Sequence, residues 1–221
     1  MSARLIQSPT VWFLPLWLVL LVPGIDIAVS RIFFDPAMQF RWARTGMLEL
    51  IRTAGPDIII GTLIVCILLY AASLISQSWM WRVAPMQVFY LGLTLLLGPG
   101  LIVETVLKPH WGRARPREIS EFGGSATYSP AWQMSDQCDS NCSFVSGHAA
   151  VAFWLTAYAF ILPSKWRMPV LAVSVVLGFA MGFVRIAQGA HFLSDVATAG
   201  LIVIAMNEIL ARLIFKQTPP P

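Results

Sequence analysis

Six apolar runs, separated by polar connections of unequal length, organise the chain: 11–29, 58–75, 86–107, 146–162, 169–186 and 194–215. A spanning helix needs roughly 20 mostly apolar residues, whereas the strands of a membrane barrel alternate. Unbroken runs of this kind predict helices. Prolines at the starts of the third and fifth runs fit, because a first-turn proline sacrifices no helical hydrogen bond. The start of the first run resembles a signal peptide, with Arg4 ahead of it and Ala28-Val29-Ser30 as small residues behind. Its length, and the spans that follow, favour a retained first span. Between the first two runs, residues 38–53 mix Phe40, Trp42, Met47, Leu48 and Ile51 with Arg41, Arg44 and Arg52. That pattern predicts a helix lying in the headgroup zone, with a solvated loop helix as the plainer alternative. The longest connection, 108–145, is rich in Gly, Ser, Pro and charge, so it is no span. Connections of that length in compact proteins are functional or disordered. No repeat or second domain is evident. Residues 1–221 therefore read as one membrane-embedded, all-α domain, a six-helix bundle with a polar, proline-rich end at 217–221.

Composition narrows the class. Of 221 residues, 57% are hydrophobic and 12% charged, against roughly 25% charged in an average soluble domain. Too few charges remain to cover a soluble surface. Disorder is excluded, and so is a nucleic-acid-binding module, for want of a dense basic run. The formal net charge is +4, which lipid headgroups and topology-setting cations explain. Charge does not orient the chain. Six spans place Arg4, Arg82, Lys165, Arg167, Arg212 and Lys216 on one side and the other nine cations opposite. Setting aside Lys108, Arg115 and Arg185, which look recruited for chemistry, leaves a tie.

Cys66 lies within a span and reads as packing. Cys138 and Cys142 stand in the long connection as Cys-Asp-Ser-Asn-Cys. Three readings are open: a small disulfide, which needs an oxidising compartment, two inert thiols, or half of a metal site that two thiols alone do not complete.

All three histidines fall in or beside two connections that share one side of the membrane. The first cluster is Lys108-Pro-His-Trp-Gly-Arg-Ala-Arg115-Pro116. Its prolines fix the backbone, and fixed cations suit a phosphate, Arg as a fork and Lys as a point charge. A headgroup contact or topology signal is the bland account. The second is Ser146-Gly147-His148 at the start of the fourth run. Ser146 is a plain N-cap candidate, yet a helix N-terminus with a glycine also offers free N–H groups to an anion. The third joins Arg185, His191 and Asp195. His191 and Asp195 are four apart, so a helix puts them on one face. There Asp195 would accept one ring N–H and leave the other nitrogen nucleophilic. A structural hydrogen bond is the alternative, although ionisable groups at membrane depth are costly without a function. His110 reads as a loop or headgroup-facing residue, and Glu104, one turn before Lys108, as its pairing partner.

Lys108 with six residues to Arg115-Pro116, then Ser146-Gly147-His148, then Arg185 with five residues to His191 and three more to Asp195 resembles the three-part signature of the type 2 phosphatidic acid phosphatase family. Val145 and Val184 depart from it, standing where a proline and a serine are common. Neither carries a proton or charge, so altered packing is expected rather than lost chemistry. The resemblance implies a six-helix bundle with its site at the outer membrane–water boundary. Lys108, Arg115 and Arg185 would bind phosphate, with Ser146 and Gly147 adding hydrogen bonds. His191 would attack phosphorus, Asp195 orient it, and His148 protonate the leaving oxygen and then activate water. No metal and no cofactor are implied. Phe122-Gly123-Gly124 and the cysteine-bearing stretch are similar to the family's bacterial lipid A phosphatase branch. Phosphatidylglycerol phosphate, phosphatidate and undecaprenyl pyrophosphate are the other substrates the family implies. The expected partners are thus a lipid phosphate and the bilayer, with the site of a bacterial inner-membrane protein facing the periplasm. Two rivals remain: a lipid-linked phosphotransferase using the same phosphohistidine, and a transporter with a His/Asp/Arg relay. The transporter should spread its charges through several spans, and here they gather on one side.

Overall fold

The computed structural model of the chain describes residues 8–20, 22–76 and 83–215. Helices α1 (Pro9–Leu20) and α2 (Pro23–Ile32) lead into a two-stranded antiparallel ribbon, β1 (Phe34–Asp35) with β2 (Gln39–Phe40), and a 3-10 turn at Arg41–Arg44. Then follow α3 (Gly46–Ser76), α4 (Pro85–His110), the long connection with 3-10 turns at Pro116–Glu118 and Ser120–Phe122, α5 (Gly147–Trp154), α6 (Ala157–Ile161), α7 (Ser164–Ala187) and α8 (Leu193–Ile214). Among the described residues four helices, α3, α4, α7 and α8, are long and apolar enough to cross a membrane. Arg4, Arg82, Lys216 and the 217–221 tail lie outside the described residues.

The six-span expectation differs from this at two places, and both have local causes. The 11–29 run breaks before Pro23. Val22 is extended (φ −67°, ψ 118°), as the residue ahead of a proline tends to be, and Pro23 has no N–H to bond back. The 146–162 run splits into α5 and α6. At the break the Thr156 hydroxyl bonds the Phe153 carbonyl at 2.8 Å, competing with the helical ladder. The predicted headgroup helix over 38–53 is also different. Its first part forms β2 and the 3-10 turn, and its second part is the start of α3, which runs on without a break through Pro56. Gly55 precedes that proline and has no Cβ to clash with its ring.

α4 widens to a π-helix over Leu96–Leu107. Pro99, flanked by Gly98 and Gly100, cannot donate into an α-helical ladder, a common cause of such irregularity. α5, α7 and α8 pack closely through small residues. A Cβ on Gly178 would strike the Phe153 ring, and one on Gly182 would strike Val196, so both glycines set the interhelical distance. Several buried polar groups pair across this core. The Trp154 indole donates to the Thr94 hydroxyl at 2.9 Å, the Tyr90 hydroxyl to the Asn207 carbonyl at 2.9 Å, and the Asn207 amide to the Thr156 hydroxyl at 2.9 Å. The long connection folds back over the ends of α4, α5 and α8. Trp111 stacks on Phe144 with centroids 4.4 Å apart, and the Ser143 N–H donates to the Arg113 carbonyl at 2.8 Å.

Candidate active site

Ends of four helices, α4, α5, α7 and α8, meet beneath the long connection. α7 stops just after Arg185 because Gly189 takes a left-handed φ of +63°, and the Ala190 N–H returns to the Arg185 carbonyl at 3.0 Å. A side chain at 189 would be strained there, and its Cβ would meet the Phe40 ring. The turn delivers His191, and α8 then begins at Leu193. His191 therefore precedes the helix that carries Asp195 rather than sharing a face of it. Asp195 acts first as a cap, its Oδ2 accepting the Phe192 N–H at 2.8 Å. The same oxygen accepts the Ser143 hydroxyl at 2.5 Å.

This changes the expected His–Asp geometry. His191 Nδ1 lies 2.7 Å from the Ser143 carbonyl and 3.8 Å from Asp195 Oδ2. A carbonyl only accepts, so the neutral ring carries its proton on Nδ1 and keeps the Nε2 lone pair free. Asp195 bears on the ring as a nearby charge, while Ser143 supplies the hydrogen bond. His191 is 2% exposed. Burial brings its pKa down to about 4, against the pull of Asp195 and with the help of Arg185 and Arg115.

The phosphate-binding candidates come together here. Arg115 is buried, and its guanidinium is held by neutral oxygens, with Nε 3.0 Å from the Asn141 carbonyl and Nη2 2.8 Å from Asn141 Oδ1. Burial, then the Arg117 charge, lowers its pKa. Asn141 sits in the loop closed by a Cys138–Cys142 disulfide, whose Cα atoms are 5.6 Å apart. Arg185 Nη1 donates to Gln188 Oε1 at 2.6 Å, and its buried Nε has no partner among the described residues. Ser146 occupies the N-cap position of α5, yet its buried hydroxyl makes no cap bond and has no partner among the described residues. A Cβ on Gly147 would collide with the Glu104 carboxylate and lie 3.6 Å from Lys108 Nζ. Lys108 in turn donates to both Glu104 oxygens, at 3.0 and 2.9 Å. Burial acts on His148 most strongly, and the charges of Arg185, Lys108 and Arg52 bear on it as well. His110 is apart from this group, exposed, with Nδ1 bonded back to the Val106 carbonyl at 2.7 Å.

Beside the site lies a cavity of about 300 Å³. It is almost wholly apolar, and Leu107, Trp111, Phe144 and Ile202 are among its walls. Among the described residues no group of three or more His, Cys, Asp or Glu side chains is placed to hold a metal ion.

Sequence reasoning missed Arg113 and Asp26. Arg113 is fully buried; its guanidinium bonds Asp195 Oδ1, Asp26 Oδ2 at 2.8 Å, the Ser194 hydroxyl at 2.9 Å and the Ser129 carbonyl at 2.8 Å. The signal for Asp26 was available, since an acidic residue inside an apolar run is costly unless paired. Nothing in the spacing distinguished Arg113 from the other cations of its loop.

Residues 87–219 match the model of the PAP2 superfamily. The lipid A 4'-phosphatase of Francisella tularensis subsp. novicida (strain U112) is 33% identical over 204 residues, covering 91% of each chain. That of Rhizobium leguminosarum is 33% identical over 214 residues, covering 88% of this chain and 89% of its own. That of Rhizobium etli is 32% identical over 215 residues, covering 88% of this chain and 81% of its own. No solved structure matches the chain significantly.

Proposed function

Because the chain belongs to the PAP2 superfamily, we propose that it is an integral membrane lipid phosphatase that removes a phosphomonoester through a phosphohistidine on His191, without a metal. The observation that carries this reading is that two donors of the candidate site, Ser146 Oγ and Arg185 Nε, are buried without a partner among the described residues. Leaving a buried donor unpaired costs about 1–3 kcal/mol, and phosphate oxygens would satisfy both. Arg115, Arg185 and the start of α5 at Gly147 supply positive potential around the same point, and Lys108, ion-paired with Glu104, joins them when it exchanges that carboxylate for phosphate. The apolar cavity alongside suits the acyl part of a lipid. Lipid A is the favoured substrate, on the strength of the relatives named above. A bacterial inner membrane with the site facing the periplasm fits that substrate and the disulfide.

The chemistry balances with two histidines. His191 Nε2 attacks phosphorus, and the bond from phosphorus to the lipid oxygen breaks. His148 gives that oxygen its proton. The imidazole becomes cationic, and Asp195 stabilises it. His148 then takes a proton from water, the water oxygen bonds phosphorus, the P–N bond breaks, and inorganic phosphate leaves. A bound phosphate dianion offsets the cations around His148 and so works against burial to keep the ring protonated as the acid.

The test is direct. Purified protein is given lipid A, phosphatidylglycerol phosphate, phosphatidate and undecaprenyl pyrophosphate in detergent micelles with EDTA, and released phosphate is measured. Release from lipid A ahead of the others supports the proposal. Release only when a lipid acceptor is added would make the chain a phosphotransferase. Loss in EDTA, restored by a divalent ion, would contradict the metal-free step.

A further inference from the structure

Two of the most deeply buried charges, Arg113 and Asp26, take part in none of these steps. Their burial is expensive: ion pairs of this kind are often no more stable than apolar residues in their place. The guanidinium is fixed on every edge. One Nη bonds Asp195, the other Asp26, and Nε bonds Ser129, while the rings of Phe192 and Tyr128 lie 4.3 and 5.5 Å away. Asp26 comes from α2, outside the 87–219 stretch that matches the family model. It accepts the Ser194 N–H at 2.9 Å as well as the Ser194 and Tyr128 hydroxyls, so it clamps the first turn of α8 next to Asp195.

Counting charge gives the cluster a purpose. With both carboxylates ionised, two of them share one guanidinium, which leaves one net negative charge behind His191. Burial works against the Arg113 charge, but Asp195 and Asp26 together hold its pKa above the ordinary value. Without Asp26, the guanidinium would answer to Asp195 alone, and the field at the imidazole would weaken just when the ring must turn cationic. We propose that Asp26 and Arg113 are positioning residues that fix Asp195 against His191 and keep its negative charge available to the imidazole. α2 then helps to position the carboxylate beside His191, acting from outside the signature. This proposal rests on the reading of His191 as the nucleophile.

The experiment compares Asp26→Asn, Asp26→Glu, Arg113→Lys, Asp195→Asn and the Asp26→Asn/Asp195→Asn double variant in the full-length detergent-solubilised protein. It reads kcat and KM on lipid A, the affinity for orthovanadate as a phosphate mimic that bonds an imidazole nitrogen, and the unfolding temperature. Asp26→Asn should lower kcat about tenfold, the scale on which supporting partners act, with KM within twofold and weaker vanadate binding. Arg113→Lys should do the same, and Asp26→Glu should recover most of the rate. Because Asp26 acts through Asp195, the double variant should be no slower than Asp195→Asn. A folded Asp26→Asn protein with wild-type kcat and vanadate affinity overturns the proposal. Losses that multiply in the double variant do so as well, and so does failure of both Asp26→Asn and Arg113→Lys to fold, since the cluster would then be a strut. If the wild type releases no phosphate, the phosphatase reading falls, and vanadate affinity still decides this one.

Discussion

Arg113 and Arg115 are two residues apart in one loop, and both are buried, yet the protein uses them in opposite ways. The Arg113 guanidinium is bonded to two carboxylates. The Arg115 guanidinium is oriented by the carbonyl and amide oxygens of Asn141. Arg185 repeats the second pattern, with the neutral Gln188 as its partner. A carboxylate partner neutralises a cation, whereas a neutral acceptor holds it in place and leaves its charge for a ligand. Ion pairing thus separates the arginine that braces the site from those able to receive an anion.

The sharpest way to break this comparison is to remove each side chain in turn. Arg113→Ala strands two buried carboxylates and should cost about 3–5 kcal/mol, seen as a large drop in unfolding temperature. Arg115→Ala strands no buried charge. It should leave the unfolding temperature nearly unchanged while lowering kcat/KM about a hundredfold, the scale for a transition-state donor. Similar thermal losses in the two variants would erase the distinction. Smaller in effect is the Asn141 support. Opening the Cys138–Cys142 loop with a reductant, or changing Asn141→Ala, should loosen Arg115 and raise KM several-fold at nearly constant kcat. An unchanged KM would show that Asn141 does not position the guanidinium.

The pH response is a subtler check. His191 is held at about 4 rather than its ordinary 6.5, so its ring stays neutral and nucleophilic as the medium acidifies. The acid limb of kcat/KM due to this group should therefore lie near pH 4. Between those two values the unfolded chain binds a proton that the native one refuses, so stability should decline as pH falls from 6.5 toward 4. A His191 limb at or above pH 6 would mean that burial does not govern the ring.

Much of the candidate site's geometry was legible because the proposed chemistry calls for particular side chains at fixed spacings. Lys108, Arg115, Ser146, Gly147, His148, Arg185, His191 and Asp195 are drawn together, as their order along the chain suggested. The bonding between them was less legible. A separation of four residues implied one helix face, but the Gly189 turn and the cap at Phe192 put His191 outside α8 and hand its ring proton to Ser143. Partners set by tertiary contact, such as Asp26 for Arg113 across 87 positions, leave no local pattern to read. The same holds for the spans. Hydropathy located the apolar runs, but Val22–Pro23 and the Thr156 hydroxyl decide where helices break, and Gly55–Pro56 shows a proline passing without a break.

The measurement that bears most directly on the proposed chemistry is capture of the covalent intermediate. Protein mixed with lipid A labelled with ³²P at its phosphates, quenched rapidly in alkali and mapped by peptide, should carry the label on His191. The label should be absent from His191→Ala. Label on another residue, or undiminished turnover in that variant, would contradict the account.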